Sequence, residues 1–145
     1  MKIEKMAPHH ISEVTVLASQ LGYPNEISEV TKRFSKIVSS NEFGLFVALS
    51  EIGEVMGFLQ VNEEPDTLLV GRRADISALV VHEKYRNERV GAALVKCAEE
   101  WVLAKGLTLL RVKSNVSREG AHRFYLREGY ELSKTAHMFV KNLGE

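Results

Sequence analysis

Residues 76–94 read ISALVVHEKYRNERVGAAL, and this stretch decides the fold. From Ala74 to Val81 the chain is almost continuously apolar once Asp75 is passed, the pattern of a central strand covered on both faces. His82 to Tyr85 forms a turn, Arg86-Asn87-Glu88-Arg89-Val90-Gly91 is a polar, basic connection, and from Val90 to Lys105 apolar residues recur at helical spacing. A strand that runs through a basic loop into a helix N-terminus is a place to hold phosphates. The unpaired N–H groups of the first turn point out of the helix end, the macrodipole adds partial positive charge, and Gly91 lets backbone approach a ligand. Arg86 and Arg89 add full charges with bidentate donors. The bland alternative is a solvated basic loop before an ordinary helix.

Working outward, Gly106 stops the helix and Leu107 to Val112 reads as a second buried strand. Arg118 to Arg127 forms a last helix ended by Gly129, and Tyr130 to Leu132 with His137 to Val140 offer two final strands. Toward the N-terminus, Phe43 to Leu49 and Val55 to Val61 form a hairpin around Ser50 to Glu54. Two amphipathic helices precede it. One follows Pro8 with Ile11, Val14, Leu17, Ala18 and Leu21 on its apolar face, and is stopped by Gly22-Tyr23-Pro24. The other spans Ile27 to Val38, and Met1 to Met6 alternates as a short first strand. The fold class is α/β: a mixed, mostly antiparallel sheet flanked by about four helices.

At 145 residues, 45% hydrophobic and 26% charged, the chain is expected to be a single domain over 1–145 that buries roughly 68 to 70% of its unfolded surface. No apolar run reaches the roughly 20 residues of a membrane span, and Met1 to Met6 is not a secretory signal, so a cytoplasmic protein without membrane contact is expected. Nineteen basic residues balance nineteen acidic ones, which argues against a nucleic-acid partner. The charges are unevenly placed: residues 1–70 hold five Lys/Arg and ten Asp/Glu, and residues 71–145 fourteen and nine. An anionic ligand prefers the second half and a cationic one the first. Cys97, the lone cysteine, lies on the stripe of Leu94, Ala98 and Trp101 and is expected in the core. The five histidines are adjacent (His9, His10) or scattered (His82, His122, His137), so no metal is expected.

Residues 72–94 resemble the acyl-coenzyme A binding motif of the GNAT superfamily of N-acetyltransferases, Arg/Gln-x-x-Gly-x-Gly/Ala after a buried strand. Arg86 matches the first position and Gly91 the last; Arg89 replaces the middle glycine and either distorts the pyrophosphate loop or adds a phosphate contact. Asn115, then Ala121-His122-Arg123-Phe124-Tyr125, then Gly129-Tyr130, is similar to the family's second block. The resemblance covers essentially the whole chain and implies a GNAT fold with acetyl-CoA as co-substrate. It places acetyl-CoA against the main chain of Leu79, Val80 and Val81, the loop and helix start Arg86, Asn87, Glu88, Arg89, Val90, Gly91 and Ala92, and Asn115 and Phe124.

Acetyl transfer to an amine sets three requirements. An amine with a pKa of about 10.4 must lose a proton before attack, the carbonyl oxygen needs an N–H donor, and the departing thiolate gains from a proton. The resemblance implies Tyr125 as the general acid, and the strand at Leu79 to Val81 as the source of backbone contacts. Asp75 stands where histone-acetylating relatives place a catalytic glutamate. It is either a base working through water, or a strand-end carboxylate that caps the sheet or pairs with Arg72 or Arg73. His122 reads as a rim residue rather than a base.

Acceptor specificity is expected in Leu21-Gly22-Tyr23-Pro24 and in Asn62 to Gly71, with Tyr23 and Glu26 as substrate-binding residues. The acidic first half suggests a cationic acceptor, and the connector Leu21-Gly22-Tyr23-Pro24 with the ending Lys134-Thr135 is similar to small bacterial family members, a resemblance that implies a small amine of aminoglycoside or polyamine type, acetylated by direct attack in a ternary complex. Acetylation of a protein lysine or N-terminus, and a module that binds acetyl-CoA without turnover, remain the alternatives. A homodimer using the final strands is a family expectation.

Overall fold

The structure is a computed structural model that describes residues 1–20, 22–114 and 118–144. In chain order it contains β1 (Lys2–Lys5), a 3-10 turn (Pro8–His10), α1 (Ile11–Gln20), α2 (Ile27–Ile37), β2 (Phe43–Leu49), β3 (Val55–Glu64) and β4 (Arg73–Val81). A second 3-10 turn (Glu83–Tyr85), α3 (Val90–Ala104), β5 (Leu110–Val112) and α4 (Glu119–Arg127) follow. The chain divides into two compact units, Met1–Lys113 and Ser114–Glu145.

The first unit is built on a sheet in the order β1-β2-β3-β4-β5. Its first three pairings are antiparallel and β4–β5 is parallel, the mixed sheet expected from the strand and helix pattern. One face packs Ile11, Val14 and Leu17 of α1 and Phe34 of α2 against Val47, Leu49, Val55, Phe58 and Val80. α3 packs against β2, β3 and β4 and buries Val90, Leu94, Val95, Ala98 and Val102. Each buried Val, Leu, Ile or Phe among them contributes about 1.5 to 3 kcal/mol by leaving water. A Cβ on Gly57 would stand 2.7 Å from the Val80 carbonyl oxygen, so the glycine lets β3 close tightly on the end of β4.

β4 departs from the expected strand covered on both faces. Gln60 pairs with Ala78 and Val61 with Ile76, so Ser77 is an extra residue that bulges the strand. Pairing with β5 is confined to Ala74–Leu110, Asp75–Arg111 and Ile76–Val112. Beyond Ile76 no described strand borders β4 on the β5 side, and Ser77 is exposed while Leu79 and Val81 are only half-buried.

β5 is shorter than the expected Leu107–Val112 because its start closes α3. The Leu107 N–H donates to Val102 O at 3.2 Å and Gly106 N–H to Leu103 O at 3.0 Å, with Gly106 at φ 76°. Cys97 is half-buried rather than enclosed, and burial followed by the nearby Glu100 carboxylate pushes its thiol up.

In the second unit α4 ends with the same paired hydrogen bonds, Gly129 N–H to Leu126 O and Tyr130 N–H to Tyr125 O. The expected strands Tyr130–Leu132 and His137–Val140 do not form; residues 130–144 have no regular structure, and residues 131–144 are exposed. A strand needs a neighbour to take its N–H and C=O groups, and alternation alone does not supply one.

Candidate active site

The loop between β4 and α3 rests on a fixed platform. His82 N–H donates to Met56 O at 2.8 Å, and His82 Nδ1 accepts the Lys84 N–H at 3.1 Å. The Tyr85 hydroxyl donates to Glu54 Oε2 at 2.6 Å, tying the turn to the β2–β3 hairpin, and Lys84 Nζ lies 3.5 Å from the same oxygen. The Tyr85 hydrogen bond, with Lys84 assisting, lowers the Glu54 carboxyl; the same bond raises the Tyr85 phenol. The sequence reading missed this cluster, because Glu54 and Tyr85 are 31 positions apart.

Arg86, Asn87, Glu88 and Arg89 are exposed on that platform. Asn87 (φ 71°) and Arg89 (φ 63°, ψ 21°) adopt the left-handed conformation, and they are the only non-glycine residues at positive φ among those described. Arg89 therefore holds the backbone shape that a glycine adopts freely, at a strain of about 1 to 2 kcal/mol. Such turns aim successive N–H groups into a concavity that suits an anion. The amides of Arg86 and Glu88 are engaged by Glu83 O and Tyr85 O at 3.3 Å each. Those of Val90, Gly91 and Ala92 open α3 ahead of Ala93, whose N–H reaches Arg89 O at 3.1 Å. The first turn of α3 carries no acidic side chain, so nothing in that turn offsets the positive end of the helix dipole.

Leu79, Val80 and Val81 lead into this loop along the side of β4 that no described strand borders. At the root of that opening Asp75 meets Arg111, its partner in the β4–β5 register. Arg111 Nε and Nη2 donate to the two carboxylate oxygens at 2.9 and 3.0 Å. The hydrogen bonding to Asp75 raises the Arg111 guanidinium. Neither arginine expected beside Asp75 is its partner: Arg72 pairs with Glu63 at 2.6 Å, and Arg73 donates to the carbonyls of Pro65 and Gly71. Two of the four carboxylate lone pairs remain for water or substrate.

Tyr23 and Glu26 lie on the exposed connection between α1 and α2. Glu26 lines a shallow depression of about 450 Å³ with Thr15, Val16, Ser19, Gln20, Asn25 and Ile27. In the second unit Phe124 and Tyr125 are half-buried neighbours on α4, with ring centroids 5.2 Å apart, and Tyr125 meets the Tyr130 ring edge at 5.9 Å. Asn115 lies outside the described residues. Among the described residues no three His, Cys, Asp or Glu side chains are grouped to hold a metal ion, and no helix is long and apolar enough to cross a membrane.

A family model described as the acetyltransferase (GNAT) family matches residues 11–130. The chain belongs to that family. It is 36% identical over 81 residues to the aminoalkylphosphonate N-acetyltransferase of Salmonella typhimurium strain LT2. That match covers 56% of this chain and 53% of the relative, so the shared stretch spans about half the length of that protein. Among solved structures, the aminoglycoside 6'-N-acetyltransferase AAC(6')-Ih of Acinetobacter baumannii superposes with a TM-score of 0.85 at 15% identity, over 99% of both chains. AAC(6')-Iy, solved with the bisubstrate analogue CoA-S-monomethyl-acetylneamine, gives 0.86 at 16% identity over 97% of both. These two likenesses establish the shared fold.

Proposed function

We propose that this GNAT acetyltransferase moves acetyl from acetyl-CoA to the primary amine of a small cationic acceptor by direct attack in a ternary complex. The observation that supports the reading is the side of β4 that no described strand borders beyond Ile76, which runs into a left-handed basic loop at the N-terminus of α3. The main chain of Leu79 to Val81 offers hydrogen bonds to an extended, amide-bearing arm and a donor to the thioester oxygen. Arg86, Arg89 and the first-turn amides of Val90, Gly91 and Ala92 take the pyrophosphate. Asn87 shapes the loop, Glu88 contributes through its backbone, and Asn115 and Phe124 complete the acetyl-CoA contacts.

The amine nitrogen attacks the thioester carbon, the C–S bond breaks, and the thiolate takes a proton from the Tyr125 hydroxyl. The proton lost by the amine passes through water to Asp75, whose orientation Arg111 sets. Tyr23 and Glu26 bind the acceptor. An acidic residue at the α1–α2 depression supports a cationic acceptor, and the aminoglycoside enzymes sharing the fold act on such amines by name. The aminoalkylphosphonate relative, whose substrate name joins an amine to an acid, supplies the competing acceptor class.

The test is release of free CoA thiol with acetyl-CoA and a panel of aminoglycosides, polyamines, aminoalkylphosphonates and lysine peptides. Turnover confined to cationic small amines is expected. Turnover only with aminoalkylphosphonates or peptides would move the acceptor class. Acetyl-CoA binding without turnover on any amine would leave a binding module.

A further inference from the structure

The two left-handed torsions of the basic loop have to be held by something. Left to themselves, Asn87 at φ 71° and Arg89 at φ 63° would move to the right-handed or extended regions that L-residues prefer. The loop's own bonds restrain it weakly: the Arg86 and Glu88 amides reach Glu83 O and Tyr85 O at 3.3 Å each, and residues 86–89 are exposed. Among the described residues, the side-chain hydrogen bonds that leave residues 82–89 for the rest of the fold both end on one group, the Glu54 carboxylate.

Glu54 is a rigid mount. Its N–H donates to Ser50 Oγ at 3.1 Å and its carbonyl accepts the Ser50 N–H at 2.9 Å. The next amide, Val55 N–H, donates to Glu13 Oε2 of α1 at 3.0 Å. The Tyr85 ring is fixed too: the His82 ring meets it edge-on at 5.8 Å, and Lys84 Nζ lies 5.3 Å from its centroid. The 2.6 Å bond from hydroxyl to carboxylate therefore joins two fixed points, and Tyr85 stands two residues before the first left-handed torsion. Its acceptor is ionised, which makes it about twice as strong as a bond between neutral groups.

We propose that Tyr85 and Glu54 are positioning residues: their bond holds the loop in its left-handed shape before any ligand arrives, so that it is preset for the phosphates of acetyl-CoA. The identity of that ligand, though not the tether, rests on the function proposed above. Cutting the bond lets the loop relax, and each binding event must then restore at least one strained torsion. The binding-competent fraction falls, and acetyl-CoA binds roughly 5- to 30-fold more weakly.

Tyr85→Phe removes only the hydroxyl, and calorimetric titration with acetyl-CoA should show that loss. Glu54→Ala should match it, while Glu54→Gln, which keeps an oxygen to accept the phenol proton, should recover much of the affinity. Glu51→Gln, exposed in the same hairpin turn, should bind as the parent does. In an Arg89→Gly background one strained torsion is already relieved, so adding Tyr85→Phe should cost clearly less than it does in the parent. Nitrogen-15 relaxation on the ligand-free protein reads the loop with no cofactor present. Amides of residues 86–89 should be as ordered as those of α3 in the parent, and mobile in Tyr85→Phe. Unchanged affinity or unchanged loop order in Tyr85→Phe would overturn the proposal, and so would an equal loss with Arg89 and with glycine at that position. A parent that binds no acetyl-CoA, but whose loop loosens in the variant, would remove acetyl-CoA as the ligand and leave the tether standing.

Discussion

Replacing Arg89 with glycine should raise stability and lower cofactor affinity at once, a combination few other readings of the loop produce. Arg89 sits at φ 63° and ψ 21°, where an L-residue is strained by about 1 to 2 kcal/mol. Glycine removes that strain but returns about 0.5 to 1 kcal/mol through its freer unfolded chain. The net gain is about 0.5 to 1 kcal/mol, and the melting point of a domain this size should rise by roughly 1 to 4 °C. Against this, the variant loses a guanidinium at the helix N-terminus. A hydrogen bond to a charged partner contributes about 1.5 to 3 kcal/mol, and solvent exposure places Arg89 at the low end, so acetyl-CoA should bind roughly tenfold more weakly. Calorimetric melting of the ligand-free proteins reads the first effect; acetyl-CoA titrations at two salt concentrations read the second, with a shallower salt dependence in the variant. A lower melting point for Arg89→Gly would refute the strain argument, and unchanged affinity would remove Arg89 from the phosphate contacts.

Asp75→Asn keeps one oxygen for Arg111 but no basic group, so turnover should fall by about 10² to 10⁴ and its pH dependence should flatten, with acetyl-CoA affinity unchanged. Rate profiles from pH 5 to 10 check this, and a parent-like profile would dismiss Asp75 from proton transfer. Tyr125→Phe should lose turnover to a similar extent while titrated acetyl-CoA affinity stays within about twofold, since only proton donation is removed. Equal losses in both would make Tyr125 a binding residue instead. His10 yields a stability prediction: it is 3% exposed, its Nδ1 accepts the Ala7 N–H at 2.9 Å, and burial first, then His9, holds its pKa below the ordinary 6.5. The unfolded chain then binds more protons just below pH 6.5, so stability is full above that value and declines as pH falls toward the folded-state pKa. Melting curves between pH 5 and 8 should show this decline, and His10→Gln should reduce it.

Elements carried by their own periodicity were legible in the sequence. α3 was readable because Val90, Leu94, Val95, Ala98 and Val102 recur on one stripe, and the hairpin because Ser50 to Glu54 separates two apolar runs. β4 was legible as a strand but not as a strand with one open side. That opening depends on the extra residue Ser77 and on β5 ending at Val112, and neither leaves a mark in local hydropathy. The final strands failed for the complementary reason: Tyr130–Leu132 and His137–Val140 have strand alternation, but pairing is a property of the neighbour.

The candidate site divides along the same line. The proposed phosphate loop is made of consecutive backbone, so a motif could point to it, and Arg89, in place of the family's middle glycine, adopts the left-handed torsions that a glycine adopts freely. At φ 63° the torsion is one that its surroundings enforce, and the Arg89 side chain is exposed. The Asp75–Arg111 pair is the opposite case. Its members are 36 positions apart and meet only through the parallel β4–β5 register, so nearby Arg72 and Arg73 were the partners that proximity in sequence suggested. Those two arginines instead hold the β3–β4 connection through Glu63 and the carbonyls of Pro65 and Gly71. One consequence bears on mechanism: a carboxylate gripped at both oxygens by a guanidinium is oriented rather than mobile, so Asp75 can receive a proton only along its two remaining lone pairs. Any water that relays the amine proton must therefore lie on the sides of the carboxylate that Arg111 leaves open.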